Sequence, residues 1–92
     1  MRYSTTAVHD VYDDGDECVV FVGDDVLALS VRATAAYRAV SGGHGSVEGV
    51  ARALQEALGE PPPDVALLDV TNETLRELAE IGLIKGSGRG RG

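Results

Sequence analysis

Ninety-two residues, 43% of them apolar and 25% charged, fit a single globular domain that is too small for a large internal active-site cavity. Only 4% are aromatic, so the core has to be assembled from Val, Leu and Ala. The net charge of −7 understates the body of the chain: up to Ile84, five basic residues face fifteen acidic ones, a balance of −10 that repels phosphate backbones and argues against nucleic acid as the main partner.

Such a surface favours a basic or zwitterionic partner, or simply serves solubility. A single cysteine, Cys18, excludes an internal disulfide and a Cys-based zinc finger. The first residues, MRYSTTAVHDV, lack an apolar core of signal-peptide length, and no window approaches the roughly 20 apolar residues of a membrane span. The chain is therefore expected to be cytoplasmic, with no membrane partner.

In chain order, residues 1–7 read as a polar, flexible N-terminus. Val8 to Tyr12 alternates apolar and polar side chains as a short strand does, and Asp13-Asp14-Gly15-Asp16 supplies a turn. Cys18-Val19-Val20-Phe21-Val22 is a β-branched and aromatic run, Gly23-Asp24 offers hairpin-turn chemistry, and Val26-Leu27-Ala28-Leu29 is a second apolar run. These make a three-stranded meander whose last strand lies at an edge unless something covers it.

From Ser30, a good N-cap, the period changes to that of a helix, with Ala33, Ala36, Tyr37 and Val40 on one face and Gly42-Gly43 as the stop. Ser46 caps a second helix whose inner side is Val47, Val50, Ala51, Leu54 and Leu58, and Gly59 ends it. Pro61-Pro62-Pro63 is a stiff spacer. Asp64 is the expected N-cap of a third helix reaching Ile81, with Val65, Leu68, Leu75, Leu78 and Ala79 inward; a break at Val70-Thr71-Asn72, with Thr71 capping a shorter helix, is the alternative. Gly82 ends that helix, Leu83-Ile84 pack back, and residues 85–92 form a Gly/Arg tail expected to be disordered. The class is α+β, a three-stranded antiparallel β-sheet followed by three α-helices.

Motifs for chemistry are sparse. Counted as a Ca²⁺ loop from Asp10, the acidic cluster places Tyr12 at position 3 and Phe21 at position 12, where oxygen ligands are required, so it reads as a solvated turn. Gly42-Gly43-His44-Gly45 follows a helix and has no Lys-Ser/Thr, which makes it a helix connection and not a phosphate loop. His9 and His44 have no partner at ligand or catalytic spacing, and Cys18 sits in an apolar strand. Neither an enzyme, a metal nor a cofactor is expected.

The acidic turn before Cys18-Val19-Val20, the short hairpin, the strand passing directly into a helix at Leu29-Ser30, the small-residue helix with an aromatic, the Ser-capped second helix and the ending Leu78-Ala79-Glu80-Ile81-Gly82-Leu83-Ile84 together resemble the PqqD-like family, the peptide chaperones also called RiPP recognition elements. The resemblance covers residues 8–84. It departs at Ser30-Val31, where the family often has Asn-Pro, in the Ala-rich first helix, and in the three prolines of the linker.

What the resemblance implies is a winged helix-turn-helix that binds the leader segment of a ribosomally made precursor peptide and presents it to a modifying enzyme of the same natural-product pathway. The leader adds as a strand to the last strand of the sheet and rests against the third helix. Carried onto this chain, the peptide-binding residues are Val26, Leu27, Ala28 and Leu29 on the edge and Leu68, Asn72, Leu75, Arg76 and Ala79 on the helix. Leu27 and Leu75 form the expected floor, with Asn72 and Arg76 as polar rim. A monomer or a strand-paired dimer is compatible with this. The competing readings are a winged-helix nucleic-acid-binding regulator, which lacks a basic recognition helix here, and an assembly subunit of an enzyme complex.

Overall fold

The computed structural model describes residues 2–6, 10–15 and 17–87. Its elements run β1 (Arg2–Thr5), β2 (Asp10–Asp13), β3 (Cys18–Val22), β4 (Asp25–Ala28), α1 (Val31–Ser41), α2 (Val47–Leu58), α3 (Leu67–Ile81) and β5 (Ile84–Ser87). The fold is α+β. A three-stranded antiparallel sheet in the order β2-β3-β4 stands beside three helices, and β1 and β5 pair antiparallel in a second, two-stranded sheet. The expected order of three strands followed by three helices is corrected: β1 precedes the meander, and β5 follows α3, so that Lys85 to Ser87, expected to belong to a disordered tail over residues 85–92, pair with Arg2 to Ser4 instead.

Local chemistry explains the hairpin. Gly23 takes φ +61°, a conformation that a side chain disfavours, and closes β3 onto β4. β3 alternates strictly in burial at its start: Cys18 and Val20 are buried, Val19 lies between them half-buried, and Phe21 is exposed. β2 is described from Asp10; the expected strand start at Val8 falls within Ala7, Val8 and His9, which lie outside the described residues, as do Asp16 and residues 88–92.

Both serine caps form as expected. Ser30 Oγ accepts from the Ala33 N–H and Ser46 Oγ from the Gly49 N–H, each at 3.0 Å, satisfying donors that the first helical turn leaves open. The third helix is corrected in three respects. Asp64 is not its cap, because the Val65 N–H bonds to Pro62 O at 3.0 Å and closes a turn through Pro63-Asp64; the helix begins after Ala66. It does not break at Val70-Thr71-Asn72. Thr71 and Thr74 are completely buried, and their hydroxyls donate to Leu67 O and Val70 O at 2.8 and 2.7 Å, so packing overrides weak propensity. Its inner face is Thr71, Thr74, Leu75 and Leu78, whereas Val65, Leu68 and Ala79 are exposed. Leu58, expected inward on α2, is also exposed.

The core joins Val20 of the sheet to Ala33, Ala36, Ala39 and Val40 of α1, Val50 and Leu54 of α2, Leu75 and Leu78 of α3, and Leu83 and Ile84 beyond it. Six of these eleven side chains are Ala or Val, so helices approach closely and a gap has few long side chains to fill it.

The N-terminal segment expected to be flexible is pinned at several points. The Tyr3 N–H donates to Gly45 O at 2.8 Å, the Thr6 N–H to Leu83 O at 2.9 Å, and the Thr6 hydroxyl to Gly82 O. Gly45 is needed for that approach, since a Cβ there would run into the Tyr3 carbonyl. The glycine-rich connection therefore seats β1 as well as joining two helices.

Candidate functional site

Hydrogen-bond alternation shows which backbone groups β4 leaves open. The Leu29 N–H donates to Cys18 O at 2.9 Å, and the register pairs Val19 with Ala28, Val20 with Leu27, Phe21 with Val26 and Val22 with Asp25. In an antiparallel ladder every second pair exchanges its bonds, so Leu27 and Asp25 spend theirs on β3. Val26 and Ala28 then point their N–H and C=O groups outward, to the side of β4 on which no further strand lies among the described residues. Two donors and two acceptors stand in a row, spaced to receive an extended chain.

Side chains divide accordingly. Val26 pairs with Phe21 on the outer surface of the sheet, where they are 59% and 44% exposed, while Leu27 lies across from fully buried Val20 on the inner side. Leu29 follows on that inner side, half-buried. There the end of β4 borders a cavity of about 400 Å³ lined by Ala28, Leu29, Ser30, Ala33, Glu77, Leu78, Glu80 and Ile81. Its floor is aliphatic, and its charged members are the two glutamates. A second cleft, of about 430 Å³, is also bordered by Ala28 and Leu29, together with Cys18, Thr34 and Arg38.

Of the nine residues expected at the site, Val26, Leu27, Ala28 and Leu29 do form the open edge and its cavity wall. The helical half is placed differently. Leu75 is 0% exposed and belongs to the core, so it offers no floor to a ligand. Leu68, Asn72, Arg76 and Ala79 follow one another at i, i+4, i+8 and i+11, share one face of α3, and are all exposed, Leu68 by 52%. None of them lines the cavity that β4 shares with α3; Glu77, Leu78, Glu80 and Ile81 do.

Rotation of the helix accounts for this. Glu73 and Glu77 lie on the flank facing α1, 3.5 and 3.2 Å from the Arg32 guanidinium, which sets the Glu77 side of α3 toward the start of α1 and the end of β4. Arg32 opposite two glutamates one turn apart was the available sequence signal, and it requires knowing that the two helices meet.

The acidic turn is a device of structure. Asp13 Oδ1 accepts from the Gly15 N–H at 3.0 Å and Asp14 Oδ1 from the Glu17 N–H at 2.8 Å, while Arg38 grips Asp13 with two bonds of 2.7 and 2.5 Å. No group of three or more His, Cys, Asp or Glu among the described residues is arranged to hold a metal. The Arg38 guanidinium, with the Gly15 N–H, holds the Asp13 carboxyl down to about 2. Because this lies below the ordinary value of about 4, the stabilisation is complete above pH ~4 and is lost as the pH falls toward 2. Denaturation midpoints between pH 5 and 2 are expected to fall more steeply in the unmodified protein than in an Arg38→Gln variant; parallel curves would show that the pair contributes nothing.

Burial pushes the Cys18 thiol up, and the nearby Asp13 charge pushes it the same way. It is a core thiol, protonated at neutral pH. Another cleft, about 200 Å³ between Leu54, Leu58, Pro61, Pro62, Val65, Leu67 and Val70, is apolar apart from Glu60 and lacks convergent polar groups.

No helix among the described residues is long and apolar enough to cross a membrane. Compared with known proteins, the chain matches no family model, no curated protein and no solved structure.

Proposed function

We propose that this chain is a non-catalytic peptide-binding module of the PqqD-like type, a winged helix-turn-helix that takes the leader segment of a precursor peptide onto β4 and presents it to a modifying enzyme. One observation carries the reading. β4 is an edge strand whose unpaired groups, at Val26 and Ala28, run directly into a cavity with an aliphatic floor. Backbone bonds to the edge supply affinity, and the cavity selects among the side chains of the added strand.

A nucleic-acid-binding role is less well supported. The exposed side of α3, which would have to enter a groove, presents Asp69, Glu73, Glu77 and Glu80 against the single base Arg76. Pairing of β4 with β4 of a second copy uses the same open edge and is distinguished by concentration dependence.

The test is a titration of isotope-labelled protein with the leader segment of a short precursor encoded beside this chain, following backbone amides. Saturable shifts at Val26 to Leu29 and at Glu77 to Ile81 are expected. Shifts that leave β4 untouched, but arise with duplex DNA or with a modifying enzyme alone, would replace leader recognition by the nucleic-acid or assembly-subunit reading.

A further inference from the structure

We infer that the peptide accepted at β4 carries a lysine or arginine at the position across from Leu29, with its charged head held at Glu77 and Glu80. The inference rests on the peptide-binding reading and adds to it the chemistry of the side chain that is selected.

Register supplies the first step. A strand hydrogen-bonded to Val26 and Ala28 sends the side chains opposite those two residues to the outer surface of the sheet, with Phe21 and Val26. The residues opposite Leu27 and Leu29 project to the inner side. The one opposite Leu29 enters the cavity that Leu29 shares with Ala33, Leu78 and Ile81.

Charge supplies the second. The charged residues lining that cavity are Glu77 and Glu80, and with Glu73 and Arg32 in the adjoining ion pairs three carboxylates face one guanidinium, a local balance of −2. Arg32 is already committed to Glu73 and Glu77, and Glu80 has no ion-pair or hydrogen-bond partner among the described residues. An aliphatic floor with carboxylates at its rim fits a long side chain that buries its stem and keeps a cation at the mouth. It rejects an acidic side chain by repulsion and leaves an aliphatic one without a partner for Glu80. The balance of −10 over residues 1–84 draws a basic peptide in the same direction.

The test uses a displayed library of random twelve-residue peptides selected on the full chain, with amide shifts to locate those recovered. Lysine or arginine is expected at one fixed position. A synthetic recovered peptide should lose on the order of tenfold in affinity toward a Glu77→Gln/Glu80→Gln double variant. Its norleucine analogue, with the same stem and no charge, should bind both proteins equally. Peptides that shift Val26 to Leu29 but show no basic preference, or that bind the double variant undiminished, overturn this inference and leave peptide binding standing. A selection whose peptides never shift β4 overturns the peptide-binding reading itself, and the inference with it.

Discussion

Replacing Leu75 by alanine is expected to destabilise the domain by about 3 kcal/mol and to lower its melting temperature by about 15 °C. Leu75 is 0% exposed and shares one cluster with Val20, Leu54 and Leu78, the point at which sheet, α2 and α3 meet. Truncation removes three carbon atoms from a core cluster that also holds Ala33, Ala36 and Ala39, and short side chains cannot swing in to fill the space. The cavity cost therefore adds to the lost transfer energy. Thermal unfolding followed by circular dichroism gives the shift. A variant that melted within a few degrees of the unmodified protein, yet lost peptide affinity, would return Leu75 to the binding surface where the resemblance had placed it.

The largest effect on binding is expected from a single proline on β4. Ala28→Pro removes an N–H that points to the open edge and takes no part in the ladder with β3, and it sets a ring where an incoming strand must approach. The fold should persist, with a melting temperature within a few degrees, while affinity for the leader peptide falls at least tenfold. Leu27→Pro, one residue earlier, is the control. Its N–H is spent on Val20, inside the ladder, and Leu27 lies on the inner side, so this substitution should cost about 2 kcal/mol or more in stability. Calorimetric titration and thermal melts of the two variants separate edge from ladder. Undiminished peptide binding by a folded Ala28→Pro variant would exclude strand addition at β4.

Where local chemistry decides structure, the sequence was sufficient. Ser30 and Ser46 cap their helices, Gly23 turns the hairpin, Gly82 ends α3 in the left-handed conformation at φ 96°, and the run Cys18 to Val22 is a strand from its first residue to its last. Each of these follows from a donor, a φ angle or a side-chain shape within a few residues. The open edge was legible for the same reason, since a meander of three strands must end in one.

Tertiary structure alone decided the rest. Arg2 to Thr5 has no apolar alternation and becomes a strand because Ile84 to Ser87 and Gly45 offer it backbone partners some forty to eighty residues away. The rotation of α3 depended on contacts that periodicity cannot rank. Leu67 and Leu68 are adjacent and equally apolar, and only the buried pair Thr71 and Thr74, together with Arg32 reaching Glu73 and Glu77, selects the face that turns inward. Hydroxyls satisfied by carbonyls one turn back let threonine occupy a core position that a hydrophobicity pattern assigns to leucine. The strand half of the candidate site could thus be read from the chain, because a strand's free groups are a local property. The helical half could not, because a helix presents every face until its neighbours choose one.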